Sequence, residues 1–166
     1  AYSPTHDEAA KIVDIVKRLA EDGIKVLVLS DDAYFGLNYE DNIESQSLFA
    51  PLADLHENVL AIKAVGPTKE DVAWGVRFGF LSFASKGMTD EQYEALQVKF
   101  MGVIRSSVSC ASTPSQSLLL HSFADPAHDT QKNYFRKILE NRYKLVKTFV
   151  ETHESKVLKP LPFNSG

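Results

Sequence analysis

Lys69 lies in Ala64-Val-Gly-Pro-Thr-Lys69-Glu-Asp-Val-Ala-Trp-Gly75-Val-Arg77-Phe-Gly79, eight residues ahead of an arginine set between two glycines. Upstream, the apolar run Ile24-Lys-Val-Leu-Val-Leu29 ends in Ser30-Asp31-Asp32-Ala33-Tyr34, which puts an acid and a phenol three residues apart. A lysine amine can condense with an aldehyde, and a carboxylate can keep a proton on a ring nitrogen. A phenol can donate to a ring oxygen, and a guanidinium can hold a phosphate through paired hydrogen bonds. Those four services are what pyridoxal 5'-phosphate needs from a protein. Taken singly each residue has a plainer role, such as a surface lysine, a turn-capping acid or a snorkelling arginine. Only their order and spacing, taken together, point to the cofactor.

Something must position such a set, and the chain has the elements to do it. Thr5-His-Asp-Glu8 is a capping box that opens a helix with the apolar face Ile12, Val13, Val16, Leu19 and Ala20, ended by Gly23. Ile24 to Leu29 reads as a strand buried on both faces of a parallel sheet. A loop over 35–42 and a short helix over 43–55 come next, then strands at 58–65 and 76–84 around a polar loop at 66–75. Thr89-Asp-Glu-Gln92 opens a helix with Tyr93, Leu96, Phe100 and Ile104 on one face. Thr113-Pro114 starts another through Leu120, and the last runs from Thr130 to His153 with Tyr134, Ile138, Leu145 and Phe149 as its stripe. The prolines of Lys159-Pro-Leu-Pro-Phe163 stop it. Alternating helices and strands spell an α/β fold. Three strands are few for this many helices, so further strands are expected outside these residues, and the unpaired sheet edge should invite association.

Composition narrows the rest. With 166 residues the chain can bury a core of its own, and its charged and apolar fractions are those of a globular domain. A net charge of −4 argues against nucleic acid as a partner. The single cysteine, Cys110, rules out an intrachain disulfide and fits a reducing, cytoplasmic setting. No apolar run approaches the roughly 20 residues that span a bilayer, so no membrane role is expected. The opening residues lack the pattern of a secretion signal.

The motif order around Asp31, Tyr34, Lys69 and Arg77 resembles that of the class I/II aminotransferases, in the fold-type I group of pyridoxal-phosphate enzymes. The resemblance implies a three-layer α/β/α architecture with a partial, mostly parallel sheet. Residues 1–128 would form the second half of the cofactor-binding large domain, and 129–166 the long interdomain helix and the start of a linker to a small domain. Lys69 would be the Schiff-base lysine and proton shuttle, and Asp31 the partner of the pyridine nitrogen, because the family's acid stands three residues before its tyrosine. Tyr34 would reach the ring oxygen and Arg77 the phosphate. The substrates would be an amino acid and a 2-keto acid, and the assembly a homodimer.

Some positions depart from the family. Three residues before the lysine, where the family usually has a phosphate-binding serine, this sequence has Gly66; Thr68 is the hydroxyl available instead. The segment Ile104-Arg105-Ser-Ser-Val-Ser109 resembles one that some members place across the dimer interface, where Arg105 would read a distal substrate carboxylate; the plainer reading is a cation at a helix C-terminus. Trp74 reads as packing beside the cofactor loop. The five histidines show no ligand spacing, so no metal is expected. The serine-rich stretch 106–117 has no partnered His and Asp, which disfavours a serine hydrolase. Tyr2-Ser3-Pro4-Thr5 resembles the stretch directly after the family's Asn-Pro-Thr-Gly, and Leu161 to Gly166 the entry to its small domain. The expectation is therefore that these 166 residues alone are inactive while the parent is an aminotransferase. Other fold-type I chemistry, a lyase or decarboxylase, shares the same residues, as does an aminotransferase-like ligand-sensing domain of a transcription regulator.

Overall fold

The computed structural model describes residues 1–153, 155, 157 and 159–165. Its elements run α1 (His6–Glu21), β1 (Val26–Asp31), α2 (Phe49–Leu52), β2 (Val59–Val65), α3 (Pro67–Glu70), β3 (Phe80–Ala84), α4 (Asp90–Ser107), α5 (Thr113–Ala124) and α6 (His128–Thr152). Both capping boxes form: the Thr5 hydroxyl accepts from the Glu8 amide while Glu8 accepts from the Thr5 amide, and Thr89 and Gln92 do the same for α4. Gly23 takes the left-handed conformation (φ 83°) that lets the chain turn from α1 into β1.

The sheet has the order β1-β2-β3, with β1 and β2 parallel and β3 joining antiparallel at the edge. Side chains alternate between its two faces. Val26, Val28, Val59 and Ala61 point to the face that α1 and α2 cover, where Val16, Ala20 and Leu52 complete the core. On the other face a row runs across the sheet from Leu29 through Ile62 to Phe83. Its far end is covered by α4: the Phe83 ring stacks on Tyr93 and Phe100 at centroid distances of 6.1 and 5.3 Å. Helices thus lie on both faces, as an α/β/α fold requires. The near end of that row is open, with Leu27 and Leu29 about 60% exposed. The two-sided burial expected for this strand is therefore met on one side only, because nothing among the described residues lies over Leu27 and Leu29.

Several element bounds differ from those expected. Only Phe49–Leu52 is helical in the stretch 43–55. The third strand starts at Phe80 rather than 76, since Arg77 holds a left-handed conformation (φ 52°) that no strand tolerates. Trp74 is largely exposed rather than packed.

The long helix docks by a face that the apolar stripe does not mark. Tyr134, Leu145 and Phe149 are exposed, while Tyr143 is buried. The docked face carries Lys132, Arg136, Tyr143 and Lys147, displaced from the stripe by two residues, or about 200° around a helix. Tyr143 and Lys147 both donate to Glu40, and Arg136 donates to the Asn38 carbonyl at 2.9 Å. Polar and aromatic contacts therefore hold α6 to the loop after β1.

The two chain ends also meet. The Ala1 ammonium donates to the Ser165 carbonyl, and the amides of Asn164 and Ser165 donate back to the Ala1 carbonyl. The Asn164 side chain pairs with the Ser3 backbone in both directions, each at 2.8 Å, and Asn164 and Ser165 are buried. Gly166, part of the expected linker entry, lies outside the described residues.

Candidate active site

The parallel register sets the geometry. Asp31 ends β1 opposite Ala64 of β2, so the segments after both strands leave the same edge of the sheet. At that edge Asp31 Oδ1 accepts from the Ala33 amide at 3.2 Å, an Asx turn that folds the chain back. Two further turns come next, with the Phe35 amide donating to the Asp32 carbonyl and the Leu37 amide to the Tyr34 carbonyl. They leave Tyr34 half exposed beside the end of β2.

On the β2 side the chain enters α3 through Gly66 and the buried Pro67. The Asp71 and Ala73 amides both donate to the Pro67 carbonyl, which tightens this single turn. Thr68 and Lys69 sit on it, half buried. Lys69 Nζ lies 5.1 Å from the centroid of the Tyr34 ring, within cation–π distance.

Gly66 has a steric reason. A Cβ there would stand 3.1 Å from the Phe78 carbonyl oxygen, and one on Gly79 would stand 3.0 Å from the Val65 carbonyl oxygen. The two backbones abut where β2 gives way to the lysine turn, and a serine at 66 would push them apart.

Of the two adjacent acids, Asp32 is engaged. Its Oδ2 lies 3.6 Å from Lys63 Nζ, beyond hydrogen-bond length but within ion-pair range, and Lys63 also sits 4.7 Å over the Phe35 ring. Both acids line a cleft of about 350 Å³ with Tyr34, Asn38 and Ser3, and of the two Asp31 is the exposed one. That volume is at the small end of the range for small-molecule sites. Asp31, Tyr34 and Lys69 are thus brought to one edge, with Tyr34 touching both the cleft and the lysine. The donor set of amine, carboxylate and phenol fits pyridoxal 5'-phosphate.

Arg77 and Arg105 are not part of that group. Arg77 is exposed between α3 and β3, and among the described residues its guanidinium has no hydrogen bond or ion pair. Arg105 lies in the last turn of α4 and donates to Ser109 Oγ at 2.7 Å, the local role of a helix-end cation. A larger cavity, about 850 Å³ between α1 and the segment at 44–51, has both apolar and polar lining residues, among them Val13, Leu48, Asp14 and Lys17, and includes none of the candidate site residues.

The chain matches no protein-family model, and no curated protein matches it. Among solved structures, the crystal structure of an aminotransferase from Anaerococcus prevotii DSM 20548 superposes on 99% of the chain with a TM-score of 0.77 at 20% sequence identity. The fold is aminotransferase-like. At that identity the likeness concerns the fold, and the chain spans 40% of the length of the aminotransferase it matches.

One cluster beside the site has no plain signature in the sequence. Glu70 and Asp71, directly after Lys69, both accept from Lys132 Nζ of α6, at 3.1 and 2.8 Å. His128 lies one turn before Lys132, with Nε2 3.8 Å from Asp71 and Nδ1 3.1 Å from Ser122 Oγ. The i, i+4 spacing of His128 and Lys132 marks a basic helix face, but spacing alone does not say what that face meets. Ser122, His128 and Asp71 fall in a file without forming a nucleophile relay, because the His–Asp gap is long and Asp71 is held by Lys132. No group of three or more metal-ligating side chains occurs among the described residues. Nor is any helix there long and apolar enough to cross a membrane.

Proposed function

We propose that the chain is part of a pyridoxal-phosphate-dependent aminotransferase and that Lys69 is its cofactor-holding amine. The observation that carries this reading is the meeting of Lys69 with Tyr34 at the sheet edge where Asp31 stands open, in an aminotransferase-like fold. When bound, pyridoxal phosphate would supply an electron-accepting ring on which an amino group can be exchanged between an amino acid and a 2-keto acid. Asp31 would hold a proton at the ring nitrogen, and Tyr34 would donate to the ring oxygen. Thr68 and the unpaired Arg77 guanidinium would take the phosphate. Lys69 would also carry the proton to and from the substrate α-carbon as general acid and base. A distal carboxylate at Arg105 and a homodimer complete the proposal, as does the division into 1–128 and 129–166. The activity would belong to the longer protein, with this chain alone inactive.

The test is to incubate the protein with pyridoxal phosphate, reduce it with borohydride and map the modified peptides by mass spectrometry. Modification concentrated at Lys69 is the expected result. Modification scattered over many lysines, with Lys69 no more labelled than the exposed ones, would overturn the assignment.

A further inference from the structure

The turn that carries Lys69 cannot hold itself in place. Four residues form one helical turn, far below the length at which a helix is stable in water. Its entry is pinned by the abutting backbones of Gly66 and Gly79. Its exit is closed only by hydrogen bonds within the turn, and there Val72 holds a left-handed conformation (φ 56°) that a β-branched residue adopts at a cost. The exit is also where two like charges stand side by side, at Glu70 and Asp71.

We propose that Lys132 is the positioning residue for Lys69: by binding Glu70 and Asp71 together it ties α3 to α6 and fixes the turn on which Lys69 stands beside Tyr34. Lys132 Nζ bridges the two carboxylates at 3.1 and 2.8 Å, and all three groups are partly withdrawn from water. Burial works against the Lys132 charge, but the Asp71 and Glu70 carboxylates outweigh it and hold the ammonium above its usual range. His128 Nε2 stands 3.8 Å from the same Asp71 oxygen that Lys132 binds, and its ring is itself held by Ser122 and by the edge-on ring of Phe123. Without Lys132, the longer approach of His128 to Asp71 is what would remain of this tie between α3 and α6. A turn free to shift would carry the Lys69 amine away from Tyr34.

This inference rests on Lys69 being the cofactor amine, and its test separates the two ideas. Backbone hydrogen exchange over 67–73 is compared in the wild type, Lys132→Met and Lys132→Arg, alongside pyridoxal-phosphate labelling at Lys69. The Met variant should exchange about tenfold faster there, the scale of one lost charged hydrogen bond, while Arg retains most of the protection. Labelling at Lys69 should fall at least severalfold in Met and recover in Arg. Glu70→Gln with Asp71→Asn removes the same tie from the other side, so it should match the exchange of the Met variant even if that variant folds poorly. Unchanged exchange in both the Met and the Gln/Asn variants would overturn the tether. Faster exchange without change at Lys69 would overturn the positioning role. If the wild type shows no preference for Lys69, the cofactor reading falls, and exchange still judges the tether.

Discussion

The abutting glycines at the start of the lysine turn allow a sharp test of how this site is packed. Gly66 has an extended backbone (φ −159°), which any residue can adopt, so a side chain there brings no conformational strain. It brings contact instead, with a Cβ 3.1 Å from the Phe78 carbonyl oxygen and 3.4 Å from Gly79 Cα. Both neighbours are backbone and cannot swing aside. Overpacking of this kind costs about 1–3 kcal/mol, and a shortfall of a few tenths of an ångström belongs near the lower end. Replacing glycine also restricts the unfolded chain, which returns about 0.4–1 kcal/mol. The net for Gly66→Ala is then a loss of about 0.5 kcal/mol, or about 1–2 °C in Tm for a chain of this size. Gly79→Ala meets the Val65 carbonyl oxygen at 3.0 Å, a tighter contact, and after the same return should lose about 1 kcal/mol. Gly102→Ala, in α4 with nothing within 4 Å of its Cβ, should gain about 0.5–1 kcal/mol from helix propensity. Urea and thermal unfolding of the three variants should rank them 79, 66, wild type, 102 in rising stability. If the 66 and 79 variants are as stable as the 102 variant, the backbone apposition is not the reason for these glycines, and the steric explanation of the missing serine is wrong.

Acid should loosen the hold on α6. Lys147 and then Tyr143, donating to Glu40, keep its carboxyl below the usual range, so this contribution is complete above the unfolded value of about 4.3 and lost as pH falls through the lower folded one. Lys147 is raised mainly by the same hydrogen bond, so the pair also weakens at high pH, as that lysine loses its proton. Glu40→Gln should therefore be less stable at pH 7 and flatter in both limbs of a plot of urea midpoint against pH; an unchanged acid limb would contradict the pairing. In the core, Leu52→Ala should cost about 2–5 kcal/mol, because Leu52 is fully buried against Val59 and Val16. Leu27→Ala, on the open face, should stay within about 0.5 kcal/mol of wild type by the same unfolding assay.

The elements that the sequence spells out are those set by local chemistry. Thr5 with Glu8 and Thr89 with Gln92 announce their helices because a capping box needs nothing beyond four residues, and Gly23 marks the turn for the same reason. Asp31 and Lys69 belong at one edge since parallel strands leave the segments after them on the same side. What is not legible depends on contacts between distant segments. Arg77 alternates with apolar neighbours like a strand residue, yet a left-handed turn claims it. The stripe Tyr134, Ile138, Leu145 and Phe149 reads as the buried face of α6, whereas Glu40, Glu70 and Asp71 turn the opposite face inward through charges that periodicity does not weigh. Gly66 is a bare departure from a motif in one dimension, and only the nearness of Phe78 and Gly79 across from it supplies the reason.

The meeting of Ala1 with Ser165 has a topological consequence. Residues 164 positions apart are neighbours, so a linker of a few residues would close the stretch 1–165, made by itself, into a ring with its strands and helices in place. The ring could then be opened elsewhere, for instance at the exposed turn of Gly87, where φ is +72° and no atom lies near its Cβ. In such a circular permutant the order of elements along the chain would change while their places in space would not. The sheet edge that carries Asp31 and Lys69 would be made by the same strands, entered from a different end.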